Sequence, residues 1–125
     1  MMRAPATLLI GCLLAAPIAS GCATQDYGRI TAKIADYEVQ AAKDKEELDA
    51  AKDKATKLSC LNRLIRNTEL QLKIARRISP STDPQYKNGE QGRNAARAEK
   101  DKRVKDLEAR LTGYKKQRDG LSSEV

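Results

Sequence analysis

The residues of this 125-residue chain with the most distinctive chemistry are three cysteines, Cys12, Cys22 and Cys60. A cysteine thiolate is a nucleophile, so it can carry a covalent group or form a disulfide. The chain contains no histidine, the side chain most often used for acid–base catalysis and a common metal ligand. We therefore expect the cysteines to serve modification, cross-linking or packing, and we expect no metal or other cofactor.

The first 21 residues have the layout of an export signal. Arg3 precedes an apolar run over residues 4–19 that contains Pro5 and Pro17. This run is shorter than the roughly 20 apolar residues that a membrane-spanning helix needs. A positive start followed by a short apolar segment is typical of a cleaved signal peptide.

The signal ends in Ala19-Ser20-Gly21-Cys22, which resembles the lipobox of bacterial lipoproteins. The resemblance implies that residues 1–21 are removed and that Cys22 then carries covalent lipid, palmitate included. Ala, rather than Asp, follows the cysteine, which by the same resemblance implies an outer-membrane anchor with the rest of the chain in the periplasm. The alternative is an ordinary secretory signal, which would leave a periplasmic protein with an unmodified Cys22.

Cys60 is left without a partner in its own chain, because Cys12 leaves with the signal and Cys22 carries lipid. In an oxidising compartment such a thiol can form an intermolecular disulfide. Cys60 also projects to the edge of an apolar helix face, near Leu64 and Ile78, where a cysteine acts as a small buried apolar side chain. The sequence leaves both interpretations open.

Four carboxylates, Asp44, Glu46, Glu47 and Asp49, are the other candidates for chemistry. Paired carboxylates hydrolyse glycosidic bonds when their environments give them different roles. Here they lie in a lysine-rich segment that is predicted to be an exposed helix face, where water solvates them alike. We therefore predict that the protein is not an enzyme, with a periplasmic hydrolase as the alternative.

The elements that carry these residues are predicted to be helices. Residues 26–78 contain no Pro and only one Gly, Gly28, so a single helix over residues 29–78 can follow a linker at residues 22–28. Apolar residues recur along it at coiled-coil spacing. At one a position stands Asn62, and a buried Asn there can fix the register of a dimer. The a and d positions are Ile30, Ile34, Tyr37, Ala41, Asp44, Leu48, Ala51, Ala55, Leu58, Asn62, Ile65, Glu69 and Leu72.

A loop is predicted over residues 79–93, because Pro80 and Pro84 disfavour helix in the residues before them. A second helix, over residues 94–120, has a narrower apolar stripe. The predicted fold is therefore all-α: a coiled-coil hairpin over residues 29–121, made of a long helix and a shorter antiparallel one. The first half of the long helix has no partner in this hairpin, so it forms either a stalk or the seam of a homo-oligomer.

The second half of the long helix has an apolar face wider than one neighbouring helix can cover. That width predicts two neighbours. A second functional hypothesis follows, a pilotin-like chaperone that accepts an apolar helix of a partner protein. Its contact residues are predicted to be Leu61, Leu64, Leu72 and Ile78.

Five basic residues gather around the predicted loop: Arg76, Arg77, Lys87, Arg93 and Arg97. In the hairpin they lie at the tip farthest from the lipid. They could contact an anionic cell-wall polymer or the acidic surface of an envelope protein. The alternative is a solvated charged surface without a partner.

The net charge of +7 is spread over interleaved acidic and basic residues, a pattern typical of solvated helix faces. Nucleic acid is the least accessible anionic partner for an exported protein, so we expect none. The sequence therefore predicts a non-enzymatic envelope lipoprotein. Its expected role is that of a tethered coiled-coil spacer or a docking subunit of a periplasmic assembly.

Overall fold

The described chain forms three long helices. The computed structural model describes residues 17–123, with side chains from residue 26 onward. No strand occurs in this range, so the predicted all-α class is confirmed. The helices are α1 (Pro17–Ala50), α2 (Lys54–Arg77) and α3 (Gly89–Ser122), with two short 3₁₀ turns, Pro80–Thr82 and Pro84–Lys87, between α2 and α3.

The predicted single helix over residues 29–78 is wrong, because the chain leaves helical geometry between Ala50 and Lys54. Asp53 has an extended backbone, with φ −100° and ψ 153°. Its carboxylate accepts hydrogen bonds from the Thr56 backbone N–H at 3.0 Å and from the Thr56 hydroxyl at 2.7 Å. A side chain that satisfies a free N–H in the first turn stabilises a new helix start. This break needs neither Pro nor Gly.

Helix α3 runs antiparallel to α2. Arg76 near the end of α2 pairs with Glu108 at 2.8 Å. Glu69, two turns earlier in α2, pairs with Lys115, which lies later in α3, at 3.8 Å. The later residue of α2 thus pairs with the earlier residue of α3, as antiparallel helices require.

Helix α1 folds back along the other side of α2. The Asn67 side-chain amide donates to the Tyr37 carbonyl at 2.9 Å, and Arg63 pairs with Glu47 at 2.9 Å. These contacts also advance in opposite directions, so α1 is antiparallel to α2 and parallel to α3. Of the two roles predicted for the first half of the long helix, the stalk is wrong, because α1 packs on α2 of the same chain. The seam of a homo-oligomer stays a prediction.

The core lies where the three helices meet. Ile34 from α1, Leu72 from α2 and Leu107 from α3 are at most 8% exposed and share one apolar cluster with Ala75 and Ile78. Burial of each large aliphatic side chain contributes roughly 1.5–3 kcal/mol. The wide apolar face of α2 therefore has the two neighbours that its width predicts, and both belong to this chain.

Only the d positions Ile65 and Leu72 of the predicted coiled-coil seam remain buried beyond the break, whereas its a positions become exposed. Ile34 and Ala41, from its first half, are buried within the bundle. Asn62 and Glu69, from its second half, are exposed on α2. The register role suggested for Asn62 therefore has no buried environment within this chain.

A buried polar layer crosses the bundle at Gln71. Its fully buried amide donates to Glu38 Oε1 at 3.0 Å and to Asn67 at 2.8 Å. Arg110 donates to the same Glu38 oxygen at 2.6 Å, so the layer joins all three helices. Burial acts to raise the pKa of the Glu38 carboxyl, but the hydrogen bonds from Arg110 and Gln71 outweigh it and lower that pKa.

Helix α3 begins earlier than predicted, at Gly89 instead of residue 94. The backbone of Gly89 has a positive φ of 72°, which glycine adopts without strain. Gly92 looks like a turn residue in the sequence but lies inside α3, where an added Cβ would overlap the Gln85 carbonyl oxygen. Close packing of α3 on the preceding turn explains this second glycine.

Replacing Asp53 with Ala should lower the melting temperature of the bundle by several degrees, because the Thr56 N–H loses its capping oxygen. Asp49→Ala removes the same charge from an exposed position in α1 and is the control. Thermal unfolding followed by circular dichroism measures both variants. Equal melting temperatures would show that the Asp53 cap does not stabilise the break.

Candidate functional site

The loop end of the bundle, defined as residues 26–30 and 76–103, brings together several predicted functional features. Tyr27 lines a crevice with Ile78. Its hydroxyl donates to a carboxylate oxygen of Glu99 at 2.9 Å. The N-terminal part of α1 and the loop between α2 and α3 therefore lie at the same end of the molecule.

The prediction that the basic tip lies far from the anchor position at Cys22 is therefore wrong. A hairpin reverses the chain once, whereas this chain reverses twice, at residues 51–53 and 78–88. The first reversal directs α2 back toward the start of α1, so the loop that follows α2 lies at the end at which α1 begins. The predicted anchor position and the basic residues are thus close neighbours along the bundle axis.

Tyr27 joins α1 to α3 at the loop end. Burial, the hydrogen bond to Glu99 and the surrounding negative charge raise the pKa of Tyr27 to about 12. The phenol therefore stays protonated, and remains a hydrogen-bond donor, above the pH at which an ordinary tyrosine ionises. Sequence reasoning missed Tyr27 and Glu99, because they are 72 residues apart and meet only through the fold-back of α1.

Asp83 organises the turn between α2 and α3. It is 7% exposed, and its two carboxylate oxygens accept from the Gln85 backbone N–H at 3.1 Å and the Gln85 side chain at 2.9 Å. Pro80 and Pro84 occupy first positions of the 3₁₀ turns, where a fixed φ suits the start of a helix. These local contacts hold the residues that follow, Lys87 among them, at the surface.

Arg76 and Arg97, two of the five predicted basic residues, have contacts within the fold. Arg76 pairs with Glu108 at 2.8 Å and so joins α2 to α3. Arg97 donates to the Tyr86 hydroxyl at 3.4 Å, and its guanidinium lies 5.8 Å from the centre of the Tyr86 ring. That contact orients Arg97 without neutralising its charge.

Four of the five cations form no ion pair with any described residue. Arg77, Lys87 and Arg97 are exposed, and Arg93 is half-buried. Arg93 and Arg97 are four residues apart in α3, so they project from the same side of the helix. The loop end thus carries a set of cations that is available to an anionic surface.

The predicted helix-binding face is not available to a partner in the folded chain. Leu61, Leu64, Leu72 and Ile78 are 1%, 0%, 4% and 3% exposed. They form the core of the bundle because α1 and α3 of the same chain cover them. Helices of the same chain therefore occupy the place predicted for a partner helix, and only open surface depressions border Leu61 and Leu72.

The Cys60 side chain is fully buried, with no exposed surface. Its sulfur accepts a hydrogen bond from the Arg63 guanidinium at 3.4 Å. The structure therefore agrees with the prediction of a small buried side chain and not with that of an accessible thiol. An intermolecular disulfide would require the surrounding helices to separate first.

The four candidate carboxylates do not converge on a common site. The exposure predicted for all four is wrong for Asp44, which is 4% exposed and lies 3.5 Å from the Arg63 guanidinium. Glu46, Glu47 and Asp49 are exposed. Among the described residues, no group of three or more His, Cys, Asp or Glu side chains could hold a metal ion.

The predicted signal peptide and the Cys22 side chain lie outside the residues whose side chains the structure describes. Over the described part of the chain, no helix combines the length and the apolar character needed to cross a membrane.

Comparisons of this chain with protein-family models, with curated proteins and with solved structures found no match.

Tyrosine absorbance should show a phenol that ionises near pH 12, and Tyr27→Phe should remove that step. The pKa of Tyr27 in the folded protein, about 12, is above the ordinary value of 10.0. The protonated phenol therefore contributes fully to the stability of the fold below pH 10, and this contribution is lost as the pH rises through 12. Glu99→Gln should move the step to lower pH, because it removes the carboxylate that the phenol faces. Asp101→Asn is the control. A step unmoved by Glu99→Gln would contradict this assignment.

The Cys60 thiol should react with a thiol reagent only when the protein is unfolded, because no part of it is exposed. Reaction should be slow in native buffer and fast in denaturant. The double variant Ser59→Cys, Cys60→Ala moves the thiol to an exposed position and should react at once. A disulfide-linked dimer of the folded protein that disappears in Cys60→Ala would contradict the buried role.

Proposed function

We propose that the protein is a non-enzymatic, lipid-anchored protein of the bacterial envelope. Residues 1–21 act as a signal peptide, and Cys22 carries the lipid that holds the mature chain on the periplasmic side of the outer membrane. The observation that carries the proposal is the Ala19-Ser20-Gly21-Cys22 sequence at the end of a short apolar run. The bundle itself acts as a docking subunit for another envelope component.

The position of Tyr27 supports attachment of the bundle by one end. Tyr27 is five residues after Cys22, and both lie in α1, so about 7.5 Å of helix axis separates them. Tyr27 is in turn joined to α3 through Glu99. A lipid on Cys22 would therefore hold the loop end close to the membrane surface.

The height of the bundle favours a docking subunit over a long spacer. Helix α1 rises about 35 Å between Tyr27 and Ala50. The single helix expected over residues 29–78 would have reached about 75 Å. A three-helix unit of half that reach offers broad sides to a partner, which a thin stalk does not.

The sides of the bundle are suited to a polar partner surface. Val39, at 58% exposure, is the one large apolar side chain that is exposed among the described residues. Docking would therefore depend mainly on charged and polar groups, which favour specificity and rapid association. A pilotin-like role is not proposed, because a partner helix would first have to displace α1 or α3 from α2.

Intact mass and cell fractionation test the anchor. Protein extracted from membranes should begin at Cys22 and carry the added mass of acyl chains, and Cys22→Ser should lose both that mass and the membrane association. Cys12→Ser changes a cysteine that the proposed cleavage removes, so it should alter neither result. Recovery of an unmodified chain in the soluble fraction would contradict the proposal.

A further inference from the structure

We infer, on the basis of the proposed lipid anchor, that the loop end binds anionic phospholipid head groups of the anchoring membrane through Lys87, Arg93 and Arg97. The two reversals of the chain place these residues at the end where α1 begins. Tyr27 fixes that end to α3, five residues after Cys22. The cations therefore form a second contact with the membrane beside the lipid.

Positive charge accumulates at the loop end. Residues 76–103 contain eight Lys and Arg and four Asp and Glu, a net charge of +4. Two of the eight cations, Arg76 and Lys102, pair with Glu108 and Asp106 just beyond this range. The six other cations exceed the four carboxylates of residues 76–103 by two, so the loop end keeps a net positive charge.

The chemistry of the three cations matches a phosphodiester head group. Lys87 is exposed at the end of the second 3₁₀ turn. Arg93 and Arg97 project from one side of α3, and planar guanidinium groups form paired hydrogen bonds with phosphate. Half-buried Tyr86 lies beside Arg97, and an aromatic ring with a polar hydroxyl suits the interface between head groups and lipid chains.

The distance from the anchor brings the loop end within range of the charged membrane surface. Electrostatic attraction extends over about 10 Å at 0.1 M salt, and about 7.5 Å of helix separates Cys22 from Tyr27. A Lys or Arg near an anionic membrane strengthens binding roughly fivefold. Three such residues should together shift the equilibrium toward the bound state by roughly a hundredfold.

Fluorescence quenching of the lipidated protein in vesicles tests the contact. A fluorophore is attached at exposed Asn88, or at exposed Lys52 in the opposite turn, through Asn88→Cys or Lys52→Cys in a Cys60→Ala chain. The quencher is a phospholipid that is spin-labelled on its head group. In vesicles rich in phosphatidylglycerol we expect strong quenching at Asn88 and little at Lys52. At Asn88 the quenching should decrease at high salt and in phosphatidylcholine vesicles.

Charge removal separates head-group binding from simple proximity to the anchor. In the triple variant Lys87→Gln, Arg93→Gln, Arg97→Gln, the bound state should lose its roughly hundredfold advantage. Quenching at Asn88 should then be low and the same in anionic and neutral vesicles. Circular dichroism checks that the variant remains helical.

A far-end variant is the matched control. Lys45→Gln, Lys57→Gln, Lys116→Gln removes the same charge, and these residues belong to the end of the bundle away from the loop. Its quenching at Asn88 should equal that of the parent chain. Equal loss in both triple variants would show a general effect of net charge and would overturn the head-group site.

The outcomes distinguish the anchor from the head-group contact. If the acyl mass is present but quenching at Asn88 does not exceed quenching at Lys52, the anchor is supported and the head-group contact is overturned. Quenching at Asn88 that is the same in anionic and neutral vesicles before any substitution also overturns it. If the acyl mass is absent, the anchor fails, and the proposed contact fails with it.

Discussion

Coverage of the wide apolar face of α2 is the constraint on which the rest of the bundle depends. Leu61, Leu64 and Leu72 are almost completely buried, and one neighbouring helix cannot exclude water from so wide a face. The chain supplies two neighbours by reversing direction before and after α2. Those reversals make α1 parallel to α3 and return the start of α1 to the turn that follows α2.

The class of the fold and the end of α2 could be predicted from the sequence, but the break before α2 could not. Prolines at 80 and 84 mark the end of α2, whereas the break falls in a run of helix-forming residues with no Pro or Gly. The Asp53 cap alone does not determine the break. The packing of α1 on α2 stabilises the reversal, and the cap then fixes where α2 begins. The width of the apolar face of α2 was the signal in the sequence for a second neighbouring helix. That neighbour is α1, which belongs to the same chain.

Errors about the candidate site follow from that one missed reversal. Burial of Cys60 was an open alternative in the sequence, since the residue projects to the edge of the apolar face. The position of Arg93 and Arg97 relative to the anchor depends instead on how many times the chain turns, which no local motif reports. The contact between Tyr27 and Glu99 is equally non-local.

Polar groups inside the bundle restrict how its helices can be aligned. Gln71 bonds Glu38 and Asn67, yet its Oε1 atom has no hydrogen-bond partner among the described residues. Such an atom reduces stability. The layer nevertheless favours one alignment, because sliding α1 by one turn would separate Glu38 from both Gln71 and Arg110.

The packing of α1 along α2 also determines how the bundle responds to force. A pull on the start of α1 acts along the helix axis, so it shears the whole α1–α2 interface at once and does not peel it apart contact by contact.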